Sequence, residues 1–549
     1  MTEAHEELSG VGERPQHHAG DGHHGLHEGG QRDQPHEAGH QPRHENTQRG
    51  NKWWTLVAVC LGTFMLLLDI TIVNVALPDI QQALHSSFSG LQWVVDAYAL
   101  TLAAFLLTAG SIADMYGRRL LYLVGLVVFT AASALCGFAQ STLMLQLSRG
   151  LQGVGGAIMF AVSLALLADA FRGKDRGTAF GIWGGVTGLA VAIGPLVGGL
   201  LTTGISWRWI FFVNVPFGIV AVIISMLKVS ESRAPKASGP DWLGFALFTV
   251  ALASLVYGLI ESNEKSFSSG LVIGCLAAAA ALLVVFVITE MLIANPMFDL
   301  KLFLKPTFSG GSIAAFGLSA SIFSMLLYIV LYFQDILGYS ALGTGLRVMV
   351  LSGGTLVTAI LAGRLSSKVP VRFLIGPGLL MIGIGLLIMR GLNAGSIWTH
   401  LIPGMIVGGL GIGLVNPPLA STAVGVVPPQ RAGMASGINS TFRQVGIATG
   451  IALLGTLFSS QVKSAVETRV TAVPALSHQG PKIAAAVQSG EIGQLIAKLP
   501  PQARQTVGVI TRAAFATGLN SILLVAAIIA FVAGVVSLLA IRSKDFAAY

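Results

Sequence analysis

An aspartate inside a long apolar segment constrains this chain more than any other feature of its sequence. The segment begins at Trp53 and contains LLLDITIVNVALPDI at 66–80, which places Asp69 among residues suited to lipid. A carboxylate at membrane depth costs roughly 2.5–3.5 kcal/mol on insertion scales, so such residues face a protein interior or a watery cavity and serve a function. The function that we expect of Asp69 is to carry protons.

The composition of the chain predicts a polytopic membrane protein. Of its 549 residues 53% are hydrophobic and 11% are charged, whereas soluble domains carry about 25% charged residues. The three cysteines, Cys60, Cys136 and Cys275, each lie in an apolar run, which argues against a disulfide framework or a thiolate metal site. The net charge is +8, but the basic residues lie in short loops, where they set the membrane topology. We therefore expect no nucleic-acid partner.

Residues 1–51 differ from the rest of the chain. Nine of the twelve histidines lie here among Gly, Gln and Glu, with little apolar surface to bury. The composition predicts a disordered cytoplasmic tail. Its histidines could bind a divalent metal, but their spacing matches no fixed coordination geometry, so no metal site is predicted. No signal peptide precedes the first span, which we expect to remain uncleaved.

Apolar runs long enough to cross a hydrocarbon core of about 30 Å recur along the chain. Fourteen spans are predicted, at 53–75, 92–112, 120–140, 143–166, 179–202, 208–228, 242–260, 270–293, 308–332, 344–364, 372–392, 400–422, 436–459 and 515–541. Arginines and lysines cluster at every second connection, as at Arg118 with Arg119 and at Arg364 with Lys368. This asymmetry predicts that both termini are cytoplasmic, which requires an even number of spans. The expected location is the plasma membrane.

Two separated motifs indicate an internal repeat. GVGGA at 153–157 and GTAFGI at 177–182 recur, at the same interval, as GLGIG at 409–413 and GMASGI at 433–438. A weaker echo pairs Gly110 with Gly363. Chance similarity in Gly- and Ala-rich sequence is the alternative, but duplicated halves are typical of secondary transporters. The predicted domains are a six-helix bundle at 52–230, two inserted helices at 231–300, and a second six-helix bundle at 301–549 with a long external loop at 461–513.

Six motifs in a fixed order resemble one family. They are LLDITIVNVALP, WVVDAYAL at 93–100, GSIADMYGRRLLYL at 110–123, LSRGLQGVGGA at 147–157, GLAVAIGPLVGG at 188–199 and WRWIFFVNVPFG at 207–218. Over residues 53–541 the chain resembles the fourteen-span drug:proton antiporter branch of the major facilitator superfamily, which contains the QacA- and EmrB-type exporters. The resemblance implies an all-α polytopic membrane protein with two six-helix bundles and two extra central helices.

The GSIADMYGRR motif follows the second span. Gly110 and Gly117 permit close helix approach and a tight turn, and Asp114 can pair with an arginine or cap the next helix. Arg118 and Arg119 anchor the topology. The resemblance implies a conformational gate here, with topological anchoring alone as the alternative.

Arg149 lies within the fourth span, with Gln152 on the same face. A permanent cation at this depth needs a counter-charge or a watery path. The resemblance places this arginine near the acid of the first span, so Arg149 and Asp69 are the predicted proton-coupling pair. Burial favours a protonated carboxyl and a nearby guanidinium favours the charged form, so alternation between the two would load and unload protons. A static ion pair is the alternative.

The fifth span carries a run of small residues, Gly188, Gly194, Pro195, Gly198 and Gly199. Such glycines form a groove for a partner helix, and proline removes one helical hydrogen bond and bends the helix. The run resembles the motif characteristic of antiporters, which favours export over uptake. Simple helix packing is the alternative.

Other polar residues in the spans are candidates for substrate binding. Asp96 lies in the second span. Family members with an aspartate at the matching position resemble exporters of lipophilic cations, so the resemblance implies a cation-binding role. A solvated acid near the outer interface is the alternative. Gln152, Gln334, Asn416 and Asn439 complete the predicted substrate-binding set. For Arg443 the sequence leaves two positions open, buried or at the cytoplasmic end of its span.

These patterns predict a proton-coupled antiporter that exports hydrophobic, cationic drugs or toxic small molecules by alternating access. A dedicated exporter of an endogenous metabolite or antibiotic, conferring self-resistance, is the alternative and would share the mechanism. No G-x-x-x-x-G-K-S/T phosphate loop is present, so an ion gradient must supply the energy. We expect no enzymatic activity, catalytic residue, cofactor or metal. The expected partners are the substrate, protons and the lipid bilayer, and a periplasmic partner is left open.

Overall fold

Helices make up all the regular secondary structure of the described residues. The computed structural model describes residues 43–86, 88–233, 241–265, 267–293, 298–366, 368–428, 431–471, 480–489 and 501–546. Residues 1–42 of the predicted disordered tail lie outside the described residues, whereas residues 43–51 are helical, which corrects the prediction for that part of the tail. By internal contacts Gln48–Tyr549 forms one unit and Met1–Thr47 another.

Seventeen α-helices are described in the same part of the chain. They are α1 (Arg43–Leu84), α2 (Phe88–Tyr116), α3 (Arg118–Gly137), α4 (Thr142–Ala170), α5 (Lys174–Gly204), α6 (Trp209–Phe212), α7 (Asn214–Lys228), α8 (Trp242–Lys265), α9 (Gly270–Leu292), α10 (Pro306–Leu318), α11 (Ser324–Leu331), α12 (Ala341–Leu365), α13 (Arg372–Ile388), α14 (Ile402–Gly425), α15 (Ala432–Thr471), α16 (Gly480–Ser489) and α17 (Pro501–Ala540). Two π-helical turns, Ser319–Phe323 and Tyr332–Ile336, extend α10 and α11 into one span.

The described helices occupy all fourteen predicted span positions. Eleven are long and apolar enough to cross a membrane, and two more count if the bent helices α2 and α5 are each taken as one span. The remaining position is held by α13, an apolar helix that is shorter than a usual span. Helices are the expected outcome because lipid offers backbone groups no other partner.

Local signals set several helix starts. The Ser141 hydroxyl accepts a hydrogen bond from the Met144 amide at the start of α4, and Ser340 does the same for Gly343 at the start of α12. These are N-caps, which satisfy amides that have no partner within the helix. Gly117 separates α2 from α3 with φ +126°, a backbone conformation that favours glycine.

The predicted loop at 461–513 contains more helix than its sequence suggested. Both flanking spans continue into it, as α15 runs to Thr471 and α17 begins at Pro501. Between them lies the short amphipathic helix α16. Its Ile483 and Val487 are buried with Val466 and Val507, so α16 packs on the extensions of the two long helices. Residues 490–500 lie outside the described part of the chain.

Two pairs of glycines bring the halves of the chain into contact. A Cβ on Gly110 would lie 2.4 Å from the Gly433 carbonyl oxygen, and a Cβ on Gly177 would lie 2.3 Å from that of Gly363. In the sequence repeat Gly110 corresponds to Gly363, and Gly177 corresponds to Gly433. The repeat therefore exchanges one contact for the other, as expected of halves related by a pseudo-two-fold axis. The domain boundaries at 230 and 300 stay predictions.

Candidate functional site

Asp69 lies at the centre of a buried polar network in the first half of the chain. Its side chain is 0% exposed on α1. Arg149 Nη1 donates to Asp69 Oδ2 at 2.5 Å, while Gln152 Nε2 and Asn214 Nδ2 donate to Asp69 Oδ1 at 2.8 Å and 3.0 Å. Three helices thus supply donors or the acceptor: α1, α4 and α7. The carboxylate is fully engaged and has no contact with bulk solvent.

Arg149 is held from several directions on α4. It is 1% exposed, and its Nη1 also donates to Gln152 Oε1 at 2.8 Å, since residues three apart share a helix face. Its Nε donates to the Val94 carbonyl oxygen at 3.1 Å, and its Cζ lies 4.1 Å from the ring centroid of Tyr98. The carboxylate and the aromatic face together compensate the guanidinium charge.

Two residues of the network escaped the sequence analysis. Ser133 Oγ accepts hydrogen bonds from Gln152 Nε2 at 3.2 Å and Asn214 Nδ2 at 3.0 Å, and it donates to the Phe211 carbonyl oxygen at 3.0 Å. Asn214 stands in WRWIFFVNVPFG, so an amide within an apolar run was a signal that could have identified it. Ser133 has no such signal, because helix serines commonly bond their own backbone.

A second polar cluster joins the two halves at their predicted cytoplasmic ends. Asp114 Oδ1 accepts from Arg118 Nε at 2.9 Å and from the Gly433 amide at 3.1 Å, and Oδ2 accepts from the Met434 amide at 2.9 Å. The acid at the end of α2 thus caps the first turn of α15. A carboxylate is favoured there by free amides and by the helix dipole. This is the geometry of a latch between halves.

Arg119 and Glu231 connect neighbouring helix ends in the first half. Arg119 Nε donates to the Ser225 carbonyl oxygen at 3.2 Å and Nη2 donates to that of Met226, near the carboxyl end of α7. Glu231 in turn accepts from the amides of Arg119 and Leu120 at 3.1 Å each, at the start of α3. Arg119 therefore satisfies terminal carbonyls within the first half, while Asp114 reaches the second. The sequence did not reveal Glu231.

The glycines of α5 face two different helices. A Cβ on Gly188 would lie 3.1 Å from Thr355 of α12, whereas Cβ atoms on Gly194 and Gly198 would fall within 3.0 Å of Thr71 and Ile72 of α1. One helix therefore contacts the second half of the chain and also the turn of α1 that follows Asp69.

The backbone of α5 bends between these two sets of contacts. Its two parts, Asp175–Val191 and Leu196–Gly204, meet at 42°, and Pro195 lies in the break. Gly199 is buried, and its carbonyl oxygen accepts a hydrogen bond from Thr203 Oγ1 at 2.6 Å. A proline-containing break is a common origin of such a bend.

The predicted substrate residues fall into separate places. Gln152 belongs to the Asp69 network, Gln334 is half-buried in a π-helical turn, and the side chain of Asp96 on α2 lies outside the description. Asn416 and Asn439 are buried and both bond Arg443. The buried position for Arg443 is therefore the one that the structure adopts. Binding roles for all of these residues stay predictions.

No metal centre is evident in the described part of the chain. No three His, Cys, Asp or Glu side chains there come together in a way that could hold a metal ion. Cys60, Cys136 and Cys275 are all free. Most of the histidine-rich tail lies outside the described residues.

The motifs and helices agree with a family match. Residues 59–451 match the sequence model of the Major Facilitator Superfamily. The chain belongs to this superfamily. Family membership makes it a transporter and not an enzyme, and the resemblance to this superfamily that the six motifs indicated is confirmed.

Among related proteins, the chain is 37% identical over 422 residues to the multidrug resistance protein Stp of Mycobacterium tuberculosis (strain CDC 1551 / Oshkosh), covering 76% of this chain and 78% of the relative. It is 32% identical over 516 residues to the tetracenomycin C resistance and export protein of Streptomyces glaucescens, covering 92% and 94%. These relatives agree with the drug:proton antiporter branch.

Solved structures share the fold at low sequence identity. The human organic anion transporter MFSD10 (TETRAN) superposes with a TM-score of 0.55 at 16% identity, covering 87% of this chain and 99% of that one. A bacterial homolog of the human lysosomal transporter Spinster, in an inward-facing and unoccupied conformation, gives 0.55 at 17% identity, covering 91% and 99%. The expected fold, an all-helical major facilitator protein, is confirmed.

Proposed function

We propose that the protein exports lipophilic drugs or antibiotics across the plasma membrane in exchange for protons. Export is supported by relatives named for drug and antibiotic resistance, which align with most of the chain. The observation that carries proton coupling is the buried Asp69, which is bonded at once to Arg149, Gln152 and Asn214. One added proton would neutralise the acid and weaken all three contacts.

The network suggests how protonation could drive a conformational change. A neutral Asp69 no longer holds the Arg149 guanidinium by charge, so α1 and α4 can separate. The contacts of Thr71 and Ile72 with Gly194 and Gly198 would carry the movement of α1 to α5. Beyond its bend, α5 packs on the second half at Thr355, and rocking of the two halves is the usual form of alternating access.

The Asp114 latch fixes the direction of this change. The structure holds the two halves together at their predicted cytoplasmic ends while Asp69 is ion-paired. A proton that arrives from outside and breaks the pair would favour release of the latch and opening to the cytoplasm. The proton leaves there, a substrate molecule enters, and the restored ion pair favours the closed cytoplasmic end. A ligand or proton shifts such an equilibrium only by its differential affinity for the two states.

Available energy is sufficient for this exchange. A proton entering down about 100 mV releases roughly 2.3 kcal/mol, and about one pH unit adds roughly 1.4 kcal/mol. For a neutral substrate the total sustains a gradient of several hundredfold, since each 1.4 kcal/mol is about tenfold. One-for-one exchange with a monovalent cation cancels the voltage contribution and leaves about tenfold, so a second titrating acid such as Asp96 would be useful.

The orientation is part of the same proposal. Basic clusters such as Arg118 with Arg119 lie at the connections that would face the cytoplasm, and this asymmetry supports an orientation with both termini on that side. The substrate, the protons and the bilayer are the proposed partners. A dedicated antibiotic exporter is the second candidate, favoured by the long match to the tetracenomycin C protein.

The test is transport by the purified protein in proteoliposomes under an imposed pH gradient. Uphill movement of lipophilic dyes should require the gradient and should disappear in Asp69→Asn, because the amide keeps the shape but cannot exchange a proton. Asp79→Asn is the matched control, since Asp79 is an exposed acid on the same helix. Wild-type dye gradients in the Asp69 variant would contradict proton coupling at this residue. A panel with tetracenomycin-like polyketides and unrelated drugs separates the narrow exporter from the broad one.

A further inference from the structure

A second buried arginine lies deep in the other half of the molecule. Arg443 on α15 is 8% exposed. It lies about 16 Å along the helix from Ala432 at a rise of about 1.5 Å per residue. Its partner Asn416 lies about 14 Å from Gly425 at the same end of α14 by the same rise. Both residues are therefore close to the middle of a hydrocarbon core about 30 Å thick.

The contacts of this guanidinium are amide oxygens. Nη1 donates to Asn416 Oδ1 at 2.8 Å and Nε donates to Asn439 Oδ1 at 3.3 Å. Nη2 is buried and has no hydrogen-bond acceptor among the described residues. Among the described side chains no carboxylate lies within 4.0 Å of the Arg443 guanidinium. The side chain of Asp96 is not among those described.

Comparison with Arg149 shows what the described surroundings of Arg443 lack. Both arginines are buried within spanning helices, but Arg149 faces the Asp69 carboxylate at 2.5 Å and Arg443 faces neutral amides. Amide dipoles satisfy hydrogen bonds without neutralising a charge, and an uncompensated buried ion is strongly unfavourable. Charged groups at this depth mark substrate or ion pathways. Among the described residues the Nη2 donor has no acceptor, and it is the natural place for an anion.

We propose that Arg443 binds an anionic group of the exported molecule, such as a sulfonate, a carboxylate or an enolate. Nη1 and Nη2 form the two-pronged donor that binds such groups, while Asn416 and Asn439 hold the guanidinium plane in position. This proposal rests on the proposed export function and extends it to the charge of the substrate. It differs from the cationic substrate that Asp96 predicts, so the two assign opposite charges to the preferred cargo.

The charge of the cargo has an electrical consequence. Inward movement of one proton with outward movement of one monovalent anion transfers two charges in the same electrical direction per cycle. Exchange with a monovalent cation transfers none. A membrane potential that is negative on the predicted cytoplasmic side therefore accelerates anion export and leaves one-for-one cation export unchanged.

The test uses two dyes that differ by one sulfonate, namely anilinonaphthalene sulfonate and its uncharged parent phenylnaphthylamine, with ethidium as the cation. Export is measured in proteoliposomes under a fixed pH gradient, with and without an imposed potential. Arg443→Gln should reduce sulfonate export by roughly tenfold to a hundredfold, the loss of a charged hydrogen bond, and leave phenylnaphthylamine export within about twofold. Arg443→Lys should recover part of the sulfonate export.

The matched control is Lys463→Gln, which removes one positive charge from the exposed part of α15, about 46 Å along the helix from Ala432. It should leave all three dyes unaffected. Equal losses for both naphthalene dyes in Arg443→Gln, repeated in Asp96→Asn, would assign Arg443 to an internal ion pair and overturn the proposal. If the wild-type protein exports phenylnaphthylamine and ethidium but not the sulfonate dye, the proposal of an anion site at Arg443 is also overturned. The export function would then stand. Gradient-driven export of no dye at all would instead contradict the export function.

Discussion

The Asp69 carboxylate and the Arg149 guanidinium stabilise each other in a place that neither could occupy alone. Removal of one member of a buried ion pair costs about 3–5 kcal/mol because the other charge remains. Burial of the pair also keeps water from the acid in this conformation. In the proposed cycle a proton can therefore reach Asp69 only when the helices around it part, which would tie protonation to movement. The proposed coupling thus depends on these two side chains.

Arg149→Ala should abolish gradient-driven export, because the buried Asp69 carboxylate then lacks the counter-charge that compensates it. Arg149→Lys should retain part of the activity, since the charge remains but the contacts to Gln152 and the Val94 carbonyl depend on the planar guanidinium. Dye export in proteoliposomes measures both. Equal activity of the alanine and lysine variants would show that the charge at position 149 does not matter.

Asp96 gives a separate prediction on substrate charge. If its carboxylate attracts a cation, Asp96→Asn should weaken ethidium export far more than phenylnaphthylamine export, because only the cation loses the Coulombic attraction. Asp69→Asn should impair both dyes. The readout is the ratio of the two export rates at one pH gradient, with the inserted protein quantified. An unchanged ratio would remove Asp96 from substrate recognition.

How much of the site the sequence could reveal depended on the type of residue. Asp69, Arg149 and Gln152 were predictable because charge within an apolar run is rare and the spacing on α4 gives one face. Ser133 was not, because its two accepted hydrogen bonds arise only when α3 packs on α4 and α7. Arg443 was undecided because its depth depends on where α15 begins, and a Gly- and Ser-rich start hides that boundary.

At the scale of helices, apolar length predicted the spans but not their full extents. Hydropathy ends where the membrane ends, whereas backbone hydrogen bonding continues for as long as neighbouring helices cover it. The continuation of α15 to Thr471 is of this kind, since Val462, Val466 and Val470 are buried against α16 and α17. The length of a helix beyond the bilayer is decided by packing between distant segments, which a single apolar run does not encode.

The crossing of α2 and α15 at Gly110 and Gly433 should be essential for closure of the cytoplasmic end. Gly110→Val adds atoms where the Gly433 carbonyl oxygen lies, and no flexible side chain can move aside. The variant should shift the protein toward the cytoplasm-open state and slow export at least tenfold. Gly274→Val on α9 is the control, because a Cβ there meets nothing within 4 Å. Normal export by Gly110→Val would show that the crossing is dispensable.

Asp114 should contribute a smaller share of the same closure. Loss of a helix cap typically costs about 0.5–2 kcal/mol, so Asp114→Ala should alter the balance of the two states several-fold without unfolding the protein. The carbonyl oxygen of Ser421 accepts a hydrogen bond from Arg176 of α5. The accessibility of a cysteine placed at Ser421 therefore reports the opening. Unchanged labelling of that cysteine would mean that the carboxylate does not hold the halves together.

At the scale of the whole molecule, Asp69 and the latch are linked only if the two halves move as units. We expect spin labels at Arg172 and Lys368, which are exposed on connections of opposite halves, to report one shorter and one longer distance. Acidification should increase the longer-distance population, because protonation of Asp69 weakens its ion pair and favours the open cytoplasmic end. Asp69→Asn should show this population at every pH, and Asp79→Asn should titrate like the parent protein.

The measurement is pulsed electron spin resonance in detergent and in nanodiscs, with Cys60, Cys136 and Cys275 replaced by alanine. Parallel assays of dye export establish that the labelled protein is active. A distance distribution that responds to acid in Asp69→Asn as it does in the parent would place the proton-sensing group elsewhere. Loss of the response in this variant alone would tie opening of the cytoplasmic end to one buried carboxylate in α1, through the contacts that Thr71 and Ile72 make with α5.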